Sequence, residues 1–452
     1  MSDWQGGAAT AQGSRVPTAP SALAFARGAR RRTRLAIGLV TVSLFVAACG
    51  NDDPPARGTL IDSTSTGQFS VQAIDAATTA SGVQVLSGPA RCDVDVRRVG
   101  YYTPGPKGEE DVKVVAAMLV PSGAGCPGPY PLVAYDRGTD VLASRDLSNP
   151  TDGETQLLIA MLAGQGYVVV TPNYLGYAGS TWPDHPYLHA DSEASTTIDA
   201  IRAARSALAD SGVALNGRVM LAGYSQGGHA SMATQRVIER DLRTEFNVVA
   251  SGHMSGPYNL TGSFVDGLAL LPTGSAGSTI FSPFAITSFQ KVYGDLYADP
   301  AEYFKAPYAS GIGSLLPGPL TSTELITSGR LPPLLGDLIT DKLQADLANP
   351  ASRLRAALDA NSLIAWTPAT PMLLCGGSRD PVVAFKNAQD AQAAFAARGV
   401  SVVTIDVETV PEFAAQFPAQ LGPAQLSAYH GTTVPPLCMK VVRDSLFSLV
   451  KG

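Results

Sequence analysis

A serine placed between glycines is the first feature of this chain that could carry out chemistry. Gly223-Tyr224-Ser225-Gln226-Gly227 is the single G-x-S-x-G of the sequence, and it lies between a strand pattern at Arg218–Ala222 and a helical pattern. A strand-turn-helix of this kind exposes a serine hydroxyl on a strained turn, with glycines where neighbouring chains pass close. The following helix directs its positive end toward developing negative charge. The pattern predicts that Ser225 is a nucleophile, the alternative being an idle serine in a glycine-rich turn.

A serine hydroxyl needs a base to remove its proton, and histidine is the usual one. A nucleophile elbow is associated with the chain order serine, acid, histidine, which puts the base after the last strand. His430 is the histidine in that position, so we predict that it is the base. The remaining histidines are expected to be structural or to line a pocket, and they are His185, His189, His229 and His253.

The acid that orients the base should follow the strand before the last one. Asp380 has that place, in a segment that runs from an apolar strand into a loop at Gly376–Val383. Its role would be to orient His430 and stabilise the imidazolium. Asp406 and Glu408, at the end of the next strand, are the rivals, and we interpret them as surface charges.

An oxyanion hole needs two main-chain N–H donors, one from the residue after the nucleophile and one from the loop after the third strand. Gln226 supplies the first. For the second we favour Arg137 and then Asp136, in the segment Tyr135–Thr139. The alternative is that this segment is only a tight turn.

The surrounding pattern is an alternation of strands and helices that must position these residues. Short apolar strands alternate with helices of 12–16 residues, which is typical of a parallel sheet covered on both faces. After a β-hairpin at about 93–121, we predict strands at 130–135, 167–172, 218–222, 248–251, 372–375 and 400–407, and helices at 153–166, 196–208, 227–240, 385–398 and 437–450. Between Gly256 and Pro368 the alternation stops, which indicates an insertion of the kind that forms a cap.

Several segments together resemble the secretory lipase family, the lipase A-type branch of the α/β-hydrolases. The resemblance covers about residues 90–450 and is strongest around Ser225. It implies an α/β-hydrolase fold, a mostly parallel central sheet flanked by helices with an inserted mostly helical cap, and hydrolysis of carboxylic esters. One departure is that residues 136–139 read Asp-Arg-Gly-Thr where many relatives carry His-Gly-Thr. The segments that carry the resemblance are Asn173–Tyr177, Asp199–Ala203, Gly223–Ala230, Gly376–Asp380 and His430.

The predicted organisation has five parts: an export signal at 1–48, a flexible tether at 49–70, the first part of the core at 71–256, the cap at 257–368 and the second part of the core at 369–452. Large apolar side chains of the cap could line an acyl or aromatic pocket, although such residues more often form the cap's own core. They are Phe281, Phe284, Phe289, Tyr293, Tyr297, Phe304, Tyr308, Leu315, Leu316, Leu334 and Leu335.

The N-terminus has the pattern of an export signal. Arginines precede an uncharged apolar run at Leu35–Ala48, which is too short to span a bilayer stably. The run ends in Val46-Ala47-Ala48-Cys49, which resembles a lipobox and implies cleavage before Cys49 and its lipidation. An ordinary signal peptide or an uncleaved anchor is the alternative. Gly50 after Cys49, rather than Asp, fits outer-membrane sorting if the cell has two membranes.

Apart from Cys49 the chain has four cysteines, and export implies an oxidising compartment, so we predict two disulfides. Of the three possible pairings we favour Cys92–Cys126 and Cys375–Cys438, because each pair would flank one local substructure. A metal site is the weaker interpretation, since the sequence has no C-x-x-C and no tight Cys/His spacing. The proposed chemistry needs no metal or organic cofactor.

The charge balance limits the partners. Removing residues 1–48 takes away six Arg and one Asp, which leaves 26 basic and 37 acidic residues and a net charge of −11. An acidic surface argues against nucleic acid or anionic lipid as a partner. We therefore predict an exported ester hydrolase, held in the bacterial envelope through Cys49, with a small-molecule or lipid ester as substrate and no indicated protein partner. Amide hydrolysis or acyl transfer on the same residues, and a non-catalytic binding lipoprotein, are the alternatives.

Overall fold

A nine-stranded sheet carries the fold in the computed structural model, which describes residues 54–452, so the predicted export signal and Cys49 lie outside the described residues. The strands are β1 (Leu60–Phe69), β2 (Asp93–Thr103), β3 (Val112–Ser122), β4 (Tyr130–Asp136), β5 (Val168–Pro172), β6 (Leu215–Tyr224), β7 (Asn247–Met254), β8 (Met372–Gly376) and β9 (Val403–Asp406).

The helices of the described residues connect and cover these strands. They are α1 (Val71–Ser81), α2 (Gln84–Ser87), α3 (Gly153–Met161), α4 (Ala190–Asp210), α5 (Gln226–Asp241), α6 (Leu260–Gly267), α7 (Ser278–Tyr293), α8 (Ser322–Thr327), α9 (Leu335–Leu338), α10 (Asp341–Ala348), α11 (Arg353–Asn361), α12 (Lys386–Ala396), α13 (Pro423–Ala428), α14 (Val434–Val442) and α15 (Ser448–Val450). Short 3₁₀ turns lie at Ala163–Gln165, Leu268–Leu270, Pro300–Glu302, Ile312–Ser314, Val407–Thr409 and Pro411–Gln416, and π-helical turns at Tyr429–Thr433 and Arg443–Phe447.

The strand order is β1-β2-β3-β5-β4-β6-β7-β8-β9. The first four strands of this order pair antiparallel, and every pairing from β5 to β9 is parallel. Parallel neighbours place their carboxyl ends at one edge of the sheet, so the loops after β4, β6 and β8 meet there. The predicted mostly parallel sheet flanked by helices is confirmed.

The core consists of two layers, one on each face of the sheet. Consecutive residues of a strand point to opposite faces, and in β6 Val219 and Leu221 enter one layer whereas Met220 and Ala222 enter the other. Helices α4, α5 and α12 cover the first layer, and α3 and α14 cover the second. Strands buried on both faces explain the continuous apolar runs of the sequence.

The residues between β7 and β8 form a helical segment with an apolar core of its own. Helices α6 to α11 lie in this stretch. Its core includes Phe284, Phe289 and Phe304, and it is continuous with Tyr187 and Leu188 from the loop before α4. The segment therefore packs on the sheet domain through that loop, at the carboxyl edge of the sheet.

The predicted tether at 49–70 is wrong in its second half, because residues 60–69 form β1. This edge strand pairs antiparallel with β2, and Arg98 donates to Asp62 across the pair at 2.9 Å. β1 contains no fully buried residue, so its sequence lacks the apolar alternation by which a strand is predicted. Main-chain pairing holds it in place.

Other element bounds differ from the prediction at their ends. Helix α4 begins at Ala190, six residues before the predicted start, and β9 covers only Val403–Asp406 of the strand predicted at 400–407. The final helix begins at Val434 and is interrupted by the π-helical turn at Arg443–Phe447. Element ends are the part of a fold that local sequence pattern predicts least accurately.

Two disulfides are present, with the pairing that the sequence favoured. Cys92 and Cys126 join the segments that flank the β2–β3 hairpin. Cys375, in β8, is bonded to Cys438, in α14. Both residues of the second bond are fully buried, so it ties helix α14 to β8, the strand next to the edge strand β9. Among residues 54–452, no helix is long and apolar enough to cross a membrane.

Candidate active site

Ser225 lies on the sharp turn between β6 and α5. Its φ of 59° and ψ of −120° are strained for a residue with a side chain. A Cβ on Gly227 would come within 1.7 Å of the Asp136 carbonyl oxygen, and one on Gly223 within 2.0 Å of the Gly227 carbonyl oxygen. Both positions of the motif therefore require glycine, because main chain occupies the space that a side chain would need.

The structure brings Ser225, His430 and Asp380 into one hydrogen-bonded chain. Ser225 Oγ lies 2.8 Å from His430 Nε2, and His430 Nδ1 lies 2.7 Å from Asp380 Oδ2. The main-chain N–H groups of Val382 and Val383 donate to Asp380 Oδ1 at 2.9 and 3.1 Å. The Asp380 side chain is fully buried, and that of His430 is 12% exposed. A carboxylate held in this way can accept from Nδ1–H and leave Nε2 free to accept the serine proton.

His430 occupies the π-helical turn after α13, rather than a simple turn between a strand and a helix. The side chain of Tyr224, the residue before Ser225, donates from its hydroxyl to the His430 carbonyl oxygen at 2.6 Å. Burial, and then the charge of Asp380, raise the pKa of Tyr224 well above its ordinary value. The phenol therefore stays a donor and ties the end of β6 to the main chain of His430.

Replacing Tyr224 with phenylalanine is expected to lower kcat/KM for ester hydrolysis about fivefold, because a net hydrogen bond of about 1 kcal/mol that holds His430 is lost. Steady-state kinetics of Tyr224→Phe checks this. Tyr102→Phe is the control, since Tyr102 lies on β2, separated from β6 by three strands. Equal activity of the two variants would contradict the role of the Tyr224 hydroxyl.

The loop after β4 approaches Ser225 through Gly138 and Thr139. A Cβ on Gly138 would lie 3.8 Å from Ser225 Cβ, and Thr139 lines the cavity next to Ser225. The Gly138 N–H is directed at a Glu154 carboxylate oxygen at 3.3 Å. The Thr139 hydroxyl lies 2.8 Å from that of Tyr187. Thr139 is thus the residue of this loop that faces the reacting groups.

Arg137, predicted as the second oxyanion donor, does not line the cavity. Its side chain is fully buried, and the guanidinium donates to the carbonyl oxygens of Gly138 and Asn173 at 2.8 and 2.9 Å. It also lies over the ring of Tyr177, 4.1 Å from the centroid. These contacts hold the loop on the side away from the cavity. The prediction failed because the sequence does not reveal which side of a loop faces Ser225.

Asp136, the second choice for that donor, does not line the cavity either. It is fully buried and accepts from the Thr197 hydroxyl at 2.6 Å, while its Oδ2 has no partner within the described residues. Burial raises the pKa of Asp136 well above its ordinary value, although the hydrogen bond from Thr197 lowers it. The main-chain carbonyl oxygen of Asp136 lies close to Gly227, in the first turn of α5.

A buried polar network surrounds the side chain of Gln226, the residue after Ser225. The side-chain amide of Gln226 donates to His185 Nε2 at 2.7 Å and to a Glu193 carboxylate oxygen at 2.9 Å. The other Glu193 oxygen lies 2.7 Å from His229 Nδ1, and His229 Nε2 lies 2.8 Å from the Asn361 carbonyl oxygen. The network therefore fixes the side chain of Gln226.

The four other histidines all make buried structural contacts. Burial lowers the pKa of both His185 and His253 to about 3, so both are neutral. His253 bonds to Ser231 and Gln235, and His189 bonds to Ser192. None of these four side chains lies within hydrogen-bond distance of Ser225, whereas His430 does.

A cavity of about 370 Å³ opens at Ser225. Of the cap side chains predicted for a pocket, Phe281 and Leu335 line it, whereas Phe284, Phe289, Phe304 and Leu316 are buried in the cap's own core. Its walls are mainly apolar and come from the sheet domain and from the segment between β7 and β8. They include Leu188, Leu260, Phe264, Ile286, Ile339, Leu343, Leu347, Val382 and Val383.

Two residues near the reacting groups were missed by sequence reasoning. Thr139 carries the weak signal of following a buried strand and a glycine. Glu193 carries none, because its partners lie 33 and 36 residues further along the chain. Within residues 54–452, no group of three or more His, Cys, Asp or Glu side chains could hold a metal ion.

The chain is similar to known lipases and esterases. The secretory lipase family profile matches residues 144–249. The rice cell wall degrading esterase LipA from Xanthomonas oryzae is 37% identical, with 87% of this chain and 100% of that chain covered and a TM-score of 0.78. No curated protein sequence matches the chain.

Two further structures share the fold at lower identity. A putative hydrolase from Legionella pneumophila is 21% identical, with a TM-score of 0.72 and coverage of 85% of this chain and 96% of that chain. Candida antarctica lipase A is 17% identical, with a TM-score of 0.56 and coverage of 84% of each chain. These two likenesses concern the fold alone.

Proposed function

Because this chain belongs to the secretory lipase family, and is therefore a carboxylic ester hydrolase with the α/β-hydrolase fold, we propose that Ser225, His430 and Asp380 are its catalytic triad. The observation that carries the proposal is the continuous hydrogen-bonded chain from Ser225 Oγ through His430 to the buried Asp380. A non-catalytic binding protein would have no need to keep all three side chains in this geometry.

The proposed reaction is a two-step acyl transfer. His430 Nε2 accepts the proton of Ser225 Oγ as this oxygen attacks the ester carbonyl carbon, and the tetrahedral intermediate carries an oxyanion. His430 then gives the proton to the departing alkoxide, which leaves as the alcohol. Water repeats the sequence on the acyl-enzyme and releases the carboxylic acid. Asp380 accepts from His430 Nδ1–H and stabilises the imidazolium.

For the oxyanion we propose the main-chain N–H groups of Gln226 and Thr139. The Gln226 N–H is the first of α5 and has no acceptor within its own helix, and the side chain of Gln226 is held by the buried network. Thr139 replaces Arg137 and Asp136 in this role because it lines the cavity at Ser225, and because the N–H of Gly138 is directed at Glu154.

The substrate we propose is a small-molecule or lipid ester that places a hydrocarbon group in the cavity beside Ser225. Apolar side chains dominate its walls, and burial of each methylene of the substrate contributes about 0.8 kcal/mol. Amide hydrolysis and acyl transfer could use the same three residues, but ester cleavage is the activity that the family supports.

The secretory lipase family suggests export. We propose in addition that lipidation of Cys49 attaches the protein to the bacterial envelope, at the outer membrane if the cell has two. Two disulfides fit an oxidising compartment. The acidic mature chain argues against nucleic acid as a partner.

Labelling with a fluorophosphonate, followed by peptide mapping, tests the nucleophile and is expected to modify Ser225 alone. Hydrolysis of p-nitrophenyl esters from acetate to palmitate by the full chain then gives the acyl preference. With apolar walls, kcat/KM is expected to rise with chain length until the cavity is filled. Label on another residue, or no hydrolysis of any ester by folded protein, would refute the proposal.

A further inference from the structure

We propose that Glu408 is a positioning residue for the acid and the base, because its carboxylate joins the residue before Asp380 to the residue before His430. The inference rests on the proposed function and adds a residue to it. The sequence suggested a surface charge for Glu408, yet its side chain is only 11% exposed.

Both oxygens of Glu408 accept hydrogen bonds from the loop after β8 that carries Asp380, residues 377–383, here called the acid loop. Oε1 accepts from the Arg379 main-chain N–H at 3.0 Å, and Oε2 accepts from the Arg379 guanidinium at 2.5 Å. Arg379 also donates to the carbonyl oxygens of Pro418 and Ala419, at 2.9 and 3.3 Å. The residue adjacent to Asp380 is therefore fixed on its main chain and on its side chain.

The same carboxylate reaches the base. Glu408 Oε1 accepts a hydrogen bond from the hydroxyl of Tyr429, whose main chain continues directly into His430. The Tyr429 hydroxyl also packs against the acid loop, since a Cβ on Gly377 would lie 2.1 Å from it. The acid loop and the π-helical turn, which lie 50 residues apart in the chain, thus meet at one carboxylate.

The protonation states of Glu408 and Tyr429 favour these hydrogen bonds. Burial by itself would raise the pKa of Glu408, but hydrogen bonds from Arg379 and Tyr429 outweigh it and hold the pKa below its ordinary value. Burial, followed by the bond to Glu408, raises the pKa of Tyr429. Glu408 therefore remains an acceptor and Tyr429 a donor at neutral pH.

Position matters here because the acid and base act through short hydrogen bonds, and a misplacement of about 1 Å can cost on the order of 10²-fold in rate. Glu408 does not line the cavity, so its loss should not affect the contacts with substrate. The inference therefore predicts a loss in kcat with little change in KM, which distinguishes positioning from substrate binding.

The test compares Glu408→Gln, Tyr429→Phe and the double variant in the full chain. Each single variant is expected to lower kcat about tenfold with KM changed less than twofold. The double variant should lose little more kcat than the worse single variant, because both changes break the same hydrogen bond between Tyr429 and Glu408. Glu412→Gln is the control, since the Glu412 side chain is 56% exposed and its ion pair with Lys440 is long, at 3.9 Å.

Proton NMR supplies a readout that a merely stabilising role would not move. The low-field resonance of the proton between His430 and Asp380 should shift or broaden in Glu408→Gln and Tyr429→Phe and stay in place in Glu412→Gln. If Glu408→Gln does not fold, Tyr429→Phe still tests the link, because it keeps the ring and the Arg379–Glu408 pair.

Unchanged kcat with an unchanged resonance in the folded variants would overturn the inference, and so would losses that add in the double variant. Failure of the proposed function has a different signature. In that case Ser225→Ala would retain activity, whatever the Glu408 variants do.

Discussion

Ser225→Ala is expected to reduce kcat for p-nitrophenyl ester hydrolysis by about 10⁵- to 10⁶-fold, the scale on which loss of a serine nucleophile acts in other hydrolases. Without Oγ no acyl-enzyme forms, and His430 has no proton to accept. The oxyanion donors and the cavity remain, so the residual rate should still exceed that of the uncatalysed reaction. Steady-state kinetics with active-site titration of the wild-type enzyme measures the loss.

A second substitution at the same position separates chemistry from stability. The φ of Ser225 is 59°, and such strain costs on the order of 1–3 kcal/mol for a residue with a side chain. Ser225→Gly should therefore be as inactive as Ser225→Ala but more stable, by about 1 kcal/mol in the free energy of unfolding. Near-wild-type activity in either folded variant would show that Ser225 is not the nucleophile.

Asp380→Asn is expected to lower kcat about 10⁴-fold, as loss of the acid does in a serine protease triad. The asparagine can still accept from Val382 and Val383 through one oxygen, so the loop should keep its shape. Its amide would donate to His430 Nδ1, which leaves Nε2 protonated and unable to accept from Ser225 Oγ. The predicted cause is the wrong tautomer and not misfolding.

The matched control for that prediction is Asp406→Asn. Asp406 accepts from the main-chain N–H groups of Ser378 and Glu408 at 3.2 and 3.0 Å. An asparagine oxygen can accept both, so activity should stay within about threefold of wild type. A loss in Asp406→Asn as large as that in Asp380→Asn would move the role of the acid to the end of β9.

Much of the site could be predicted because its signals are local. The spacing Gly223-Tyr224-Ser225-Gln226-Gly227 encodes a turn that only a strand on one side and a helix on the other can support, and the structure has both. His430 and Asp380 follow from chain order, because successive strands of a parallel sheet bring their carboxyl ends to one edge. Such patterns depend on residues near in sequence, or on topology.

Contacts between distant segments could not be predicted in the same way. Glu408 and Asp406 have the appearance of surface charges, and their partners lie 21 to 29 residues away. Which face of the loop after β4 meets Ser225, and hence that Thr139 and not Arg137 lines the cavity, depends on a turn of a few residues. β1 was missed because an edge strand needs main-chain pairing but no apolar alternation.

The amino-acid sequence by itself therefore determined the alternation of strands and helices, the insertion between β7 and β8 and the choice of Ser225, His430 and Asp380, which the structure brings together. Tertiary structure decided which side chains hold those residues in place: Tyr224, Glu193 and Glu408. The physical reason is the distance along the chain between the residues that interact. Periodicity and glycine spacing act through neighbours along the chain, whereas a hydrogen bond between remote loops exists only after the sheet has placed their ends a few ångströms apart.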